Sequence, residues 1–414
     1  SSCLPNTRTG VLQKIREWVD EHDSHPICWL TGVTGSGKST IAQTLAKDYA
    51  ANGTLAGSIF FLQAGTLRIS TARFFLTLAY QLAVAVPSVQ ALMQKPFKRD
   101  PSFSTKRLED HFTQLIYDPL VALKQPISPM IVIVDALNES EDKDGIMKII
   151  KIISKALRND IFRLRFFFTS RESHHLETQF RESTAKSVTT RLVLENWDAH
   201  SDIRVFLQFH LHRVRKTKHR LMMQLPELWP STADLDELVS KSEGSFIWAS
   251  TLVKFVDDGI PHDKLQSALN AHAGLDLLYC KCASPAIQQP NFLFIMGNIL
   301  LLRTPLSIRD LGLLIGLRPD EIIEPLQGNR SILVIPHDNN QAIRPFHASL
   351  RDFFMDRNRS KGLFIDPAGI HFGLVLSCIT TIPKCLSENG NQGDSSNATV
   401  YAFSNWCYHL NLTL

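Results

Sequence analysis

The stretch Gly32-Val33-Thr34-Gly35-Ser36-Gly37-Lys38-Ser39-Thr40 constrains the fold more than any other part of the chain. It has the form G-x-x-x-x-G-K-[ST]. The apolar run Ile27–Thr31 precedes it, and Ile41, Ala42, Leu45, Ala46 and Tyr49 follow at helical spacing, closed by Gly53. A buried strand, a glycine-rich turn and a capped helix in that order predict a phosphate cradle. The glycines let backbone N–H groups converge on phosphate oxygens, and the helix N-terminus adds partial positive charge. All nine residues are candidate nucleotide contacts. Lys38 is expected to reach the β- and γ-phosphates, and the Ser39 hydroxyl to ligate Mg²⁺. The implied cofactors are Mg²⁺ with ATP/ADP or GTP/GDP, and the sequence does not choose the base.

Four further apolar runs, Ser58–Leu62, Met130–Val134, Phe166–Thr169 and Leu192–Leu194, read as strands. Runs that are apolar throughout, rather than alternating, imply burial on both faces and a parallel sheet. Helix-period stripes lie between them: Phe74, Phe75, Leu78, Leu82 and Val86, stopped by Pro87, and a third marked by Phe112, Leu115 and Ile116. The result is an α/β P-loop NTPase fold with an open, doubly wound sheet. Val11, Leu12, Ile15, Trp18 and Val19 predict a preceding helix on the sheet's edge. After Trp197 the pattern becomes helical. Near Asn291 three helical segments lead to two strand-like runs, Ile332–Ile335 and Ile343–Phe346, joined by His337-Asp338-Asn339-Asn340, which is how a winged helix reads. The expected organisation is an N-terminal linker and helix (1–22), a nucleotide-binding domain (23–197), a helical domain (198–290), a winged-helix domain (291–360) and the start of a further helical region (361–414). Ser387–Asn397 reads as a polar loop.

Asp135 ends the run Ile131–Val134, and a buried carboxylate there needs compensation. A hydrated Mg²⁺ beside Ser39 is one, so Ser39 and Asp135 are the candidate metal residues; an aspartate capping the next turn is the alternative. Glu139 is the nearest group able to polarise an attacking water, or it is a solvated loop glutamate. Arg171, at the end of Phe166–Ser170, can sense a γ-phosphate; otherwise it is a surface arginine paired with Glu172. Asp135, Glu139 and Arg171 are the candidate catalytic set.

Composition bears on partners and compartment. A net charge of +4 over 414 residues does not argue for a nucleic-acid partner. The basic run Arg213, Arg215, Lys216, Lys218 and Arg220 reads first as a solvated helix end. Seven cysteines without CxxC pairs fit a reducing, cytoplasmic setting. Phe292–Leu302, interrupted by Gly297 and Asn298, is too short to span a bilayer. The start without methionine and the abrupt end after NLTL suggest a fragment of something longer.

The segments CLPNTRTGVLQKIREWV, ICWLTGVTGSGKSTIAQTLA, IVIVDALNES and FFFTSRES together resemble the NACHT branch of the signal-transduction NTPases (STAND class), above all the Nod-like receptor-type proteins of fungi. SEGSFIWASTLVKFV resembles their helical domain, and TPLSIRDLGLLIGL through SILVIPHDNNQAIRPFHASLRDFFMD their winged helix. The resemblance implies that Lys38 and Ser39 are the Walker A lysine and metal-side hydroxyl, Asp135 the Walker B aspartate and Arg171 the sensor arginine. It also puts His347 where the family often presents a histidine to the β-phosphate of bound diphosphate; a half-buried hairpin histidine is the alternative. Family members usually carry acids at both positions where this chain has Asn138-Glu139, and an amide cannot take a proton from water. A slow NTPase activity is therefore in doubt while binding is not.

The implied function is a nucleotide-operated switch that controls homo-oligomerisation and signalling in immunity or cell death, with unknown effector and ligand-sensing partners. The alternatives are a P-loop ATPase acting on nucleic acid and a hydrolysis-deficient nucleotide-binding scaffold.

Overall fold

Continuous burial of successive residues is possible only if helices cover both faces of the sheet. Strands β1 (Ile27–Thr31), β2 (Leu55–Phe60), β3 (Met130–Asp135), β4 (Leu164–Ser170) and β5 (Thr189–Val193) form one sheet in the order β2-β3-β4-β1-β5, all parallel. The computed structural model describes residues 2–413 apart from 22–24, 62–69, 124–127, 159–162, 227, 271–273 and 389–395, with backbone alone at 383–388. The chain divides into two units, Ser1–Asp202 and Ile203–Leu414.

In the first unit, alternate residues of each central strand go to opposite cores. Ile27, Trp29, Val132, Val134, Phe166 and Phe168 join one, while Cys28, Leu30, Ile131, Ile133 and Phe167 join the other. The second core also holds Val11, Leu12, Ile15, Trp18 and Val19 of α1 (Thr9–Asp20) and Ile41, Ala42 and Leu45 of α2 (Lys38–Ala51). Helix α1 therefore lies on a face of the sheet, not on its edge as the sequence pattern suggested. Its five apolar residues need an apolar floor, and a strand edge offers unpaired backbone instead. Arg165, at the start of β4, fixes the helix end: its Nη1 donates to the Trp18 carbonyl at 2.9 Å, its Nη2 donates to the Glu21 carbonyl, and its guanidinium sits 5.4 Å from the Trp18 ring centroid. Helix α2 stops where Gly53 takes a left-handed φ of 70°.

The two outer strands depart most from the sequence expectation. Strand β2 begins at Leu55, three residues early, because Ala56 and Gly57 give little apolar signal. Gly57 is there for space: a Cβ would meet Leu78 Cδ1 at 2.8 Å on α3 (Phe74–Ala85). Leu62, the expected end, lies outside the described residues. β5 spans Thr189–Val193 and is only half-buried, so polar residues fill a strand of which the apolar run marks only the end. At the other end of the sheet order, Gln81 of α3 accepts from the Ser58 N–H at 2.7 Å and donates to the Ser58 carbonyl at 3.1 Å. Its amide does for β2 what a neighbouring strand's peptide would do.

In the second unit, helices α4 (Thr232–Lys241), α5 (Phe246–Asp257), α6 (Pro261–Leu269), α7 (Leu275–Ala283), α8 (Phe292–Leu301), α9 (Ile308–Ile315) and α10 (Pro319–Ile323) precede a hairpin. Its strands, Leu333–Val334 and Arg344–Pro345, have two residues each, shorter than expected. Pro345 has no N–H to continue the ladder, and the Phe346 N–H bonds to the Ile332 carbonyl just outside it. Helices α11 (Pro367–Glu388) and α12 (Asn397–Leu410) close the unit. Most of the expected polar loop falls at 389–395, outside the described residues; Asn397 opens α12, whose cap is Ser396. Between α11 and α12 a buried polar chain runs from the Arg303 N–H to Tyr401 Oη (2.9 Å), from Tyr401 Oη to His409 Nε2 (2.7 Å), and from His409 Nδ1 to His371 Nδ1 (2.8 Å). Among the described residues no single helix is long and apolar enough to cross a membrane.

Candidate functional site

The Gly32–Thr40 loop joins β1 to α2, so its amides gather at the carboxyl end of the sheet. Gly35 and Gly37 adopt φ values of 77° and 100°, which side chains rarely tolerate; this is why the motif needs glycine at these two positions. Lys38 Nζ folds back and donates to the carbonyls of Gly32 and Val33, each at 2.7 Å, and to Ser36 Oγ at 3.4 Å. Burial, then Arg171, pushes its pKa down to about 8, against Glu195, Asp135 and Glu139. The five side chains thus share one electrostatic neighbourhood. The Val33 amide in the loop donates to Glu195 Oε1 at 2.6 Å.

Asp135 ends β3 with 1% of its surface exposed. One oxygen accepts from Thr169 Oγ1, which also accepts the Ala136 N–H at 3.0 Å. The other, Oδ2, is buried with no hydrogen-bond partner among the described residues. Burial raises the Asp135 pKa, opposed by the hydroxyls of Thr169 and Ser39 and the charge of Lys38. A carboxylate oxygen left bare beside an exposed serine hydroxyl is costly alone and suits a hard cation. Asp135 and Ser39 therefore fit Mg²⁺, whose positive charge would neutralise the carboxylate and the phosphate oxygens.

β4 lies between β1 and β3, so its carboxyl end faces both. There Arg171 Nη2 pairs with Glu139 Oε1 at 3.1 Å, not with Glu172, whose carboxylate is taken by Arg191. Asn138 sits between: its Oδ1 accepts the Arg171 N–H at 2.8 Å and its Nδ2 donates to Glu139 Oε1 at 2.9 Å. Lys38, Ser39, Asp135, Glu139 and Arg171, scattered over about a third of the chain, thus meet at one sheet end. His347 lies in the second unit, where its Nδ1 accepts from the Ser349 N–H (3.1 Å) and pairs with Ser349 Oγ (2.8 Å). That places the ring proton on Nε2.

Three further residues touch this site that motif spacing did not mark: Thr169, Glu195 and Arg8. Arg8 is 5% exposed, and its Nη2 donates to the Ser36 carbonyl inside the loop at 2.7 Å; Asp202 lies 3.9 Å from its Nε. Thr169 belonged to a motif already singled out, but its use depends on β4 lying next to β3. In the basic run Arg213, Lys216 and Arg220 are exposed, as a solvated helix end would have them, while Arg215 donates to the carbonyls of Pro226 and Leu225, and Lys218 to those of Asp257 and Gly259.

Residues 7–171 match the family described as Nephrocystin 3, N-terminal. The parallel sheet with the Gly32–Thr40 loop at its carboxyl end is the fold of a P-loop NTPase. Its strand order sets β4, which leads to Arg171, between β1, which leads into the Gly32–Thr40 loop, and β3, which ends at Asp135. No curated protein is similar in sequence. Among solved structures, the chain is similar to a signal-transduction ATPase with numerous domains and a tetratricopeptide repeat sensor from Pyrococcus horikoshii (TM-score 0.49, 10% identity, 99% of this chain and 48% of that one). It is also similar to Cdc6p from Pyrobaculum aerophilum (TM-score 0.38, 15% identity, 89% and 94%) and to the Orc1 protein of Aeropyrum pernix in complex with DNA (0.38, 14%, 88% and 93%). The chain spans about half the length of the Pyrococcus protein.

Proposed function

We propose that the chain is a nucleotide-operated switch that takes up a purine nucleoside triphosphate with Mg²⁺ and assembles with further copies in that state. The observation that carries this reading is the bare Oδ2 of buried Asp135 beside Ser39, at the foot of a loop whose lysine is parked on its own carbonyls. Lys38 is held by weak substitutes for phosphate oxygens and can exchange them for stronger ones. Moving a population from 1:99 to 99:1 takes about 5.5 kcal/mol of differential affinity. Charge-assisted hydrogen bonds contribute about 1.5–3 kcal/mol each, so two to four contacts made only to a γ-phosphate suffice. Lys38 and Arg171 are the side chains to make them. Signalling in immunity or cell death is the biological role such a switch would serve.

The direct test is titration of the purified chain with adenine and guanine nucleotides in the presence and absence of Mg²⁺, beside mass spectrometry of the nucleotide that co-purifies. Binding that requires Mg²⁺ and is lost in Lys38→Ala is expected; normal affinity in Lys38→Ala removes the proposal. A second reading, a scaffold that holds nucleotide without turning it over, is favoured by Asn138, whose amide donates to Glu139 where a base would have to accept. Turnover at the level of buffer, restored by Asn138→Asp, would select it.

A further inference from the structure

Arg171 is the residue expected to find a γ-phosphate, yet its guanidinium is engaged by Glu139, and Asn138 holds both partners in place. The amide is essential to that triangle. Its oxygen takes the Arg171 N–H from β4, and its nitrogen donates to the same Glu139 Oε1 that Arg171 Nη2 reaches. An aspartate at 138 has no hydrogen to donate and would set a second negative charge against Glu139. Both members of the pair are mostly shielded, with 31% and 23% of their side chains exposed, so the contact is more than a fully solvated surface pair.

We propose that the Asn138–Glu139–Arg171 triangle is a specificity-determining latch that penalises triphosphate relative to diphosphate. Resting on the switch reading, the inference adds what sets its bias. A γ-phosphate must draw Arg171 away from Glu139, whereas a diphosphate leaves the pair closed. Glu139 and the terminal phosphate compete for one guanidinium, and Asn138 tilts the competition towards Glu139. The departure at position 138 then raises the threshold for activation and does not merely remove a base.

Four forms test this by equilibrium binding of a non-hydrolysable triphosphate and of the diphosphate: wild type, Glu139→Gln, Arg171→Ala and the double variant. Glu139→Gln is expected to tighten triphosphate binding about two- to fivefold, the effect of losing one partly exposed ion pair, with the diphosphate unchanged. Arg171→Ala is expected to weaken triphosphate binding only, and Glu139→Gln added to it to have no further effect. Equal changes for both nucleotides, or weaker triphosphate binding in Glu139→Gln, overturn the latch while leaving the switch standing. Failure of wild type to bind either nucleotide overturns the switch reading and the latch with it.

Discussion

Lys38 is a cation whose charge depends on what it faces. With its pKa pushed down to about 8 chiefly by burial, a polyphosphate brought beside it favours the charged form. The folded protein therefore takes up a proton on binding above pH 8. Affinity should be level below that pH and fall as pH rises through it, because the nucleotide must then re-protonate the amine. Calorimetry between pH 7 and 9.5 in two buffers of different ionisation enthalpy checks this; a flat profile with no proton uptake contradicts it. Thr169 makes a separate prediction. Replacing it with valine leaves the Ala136 N–H and an Asp135 oxygen without their hydroxyl, at a cost of about 1–3 kcal/mol in a urea denaturation. Nucleotide affinity should fall with it, as Asp135 loses the group that fixes its orientation. Lys38, Ser39, Asp135 and Arg171 were legible because their motifs are local in sequence, with loop or strand end marked by flanking apolar runs. Arg8, Glu195 and Thr169 were not, because each contact spans a crossover of the chain: 28 residues separate Arg8 from Ser36 and 162 separate Val33 from Glu195.

At the level of elements, all five strands were found in the sequence, the three central ones with closer bounds than the two outer ones. β1, β3 and β4 are buried throughout, while β2 contains Gly57 and β5 contains Thr189, Thr190 and Arg191. The seat of α1 was hidden, since an amphipathic stripe says that a floor exists without saying which. Arg165 reveals it, and Arg165→Met should loosen α1: the loss of charge-assisted bonds to two carbonyls predicts about 1.5–3 kcal/mol in urea unfolding. A change under 0.5 kcal/mol would show that apolar packing alone seats the helix. In the second unit, burial, His371 and Arg303 lower the His409 pKa to about 4, and burial and Arg351 lower that of His371. Tyr401 and Tyr408 also face the pair. Both imidazoles are neutral when folded, whereas an unfolded histidine titrates near 6.5. Between those values the unfolded chain binds more protons, so stability is full above about pH 6.5 and falls as pH drops towards 4. His409→Gln should flatten that slope in thermal melts from pH 4 to 7; an unchanged slope would assign it to other groups.

Across the whole molecule, the proposed switch predicts a change in assembly. Light scattering should show larger species with Mg²⁺ and non-hydrolysable triphosphate than with diphosphate, and no such difference in Lys38→Ala. Identical masses in both nucleotide states would separate binding from assembly. Any such association has to be kept apart from a cruder one, and Gln81 does this. By occupying both the N–H and the carbonyl of Ser58, it denies an incoming backbone the first two hydrogen bonds from which an extra strand could zip along the rim. Copies are thereby steered away from open-ended stacking through their sheets. Gln81→Ala would remove that guard with little loss of core, and slow fibril-like precipitation from a still-folded protein is the failure it should provoke.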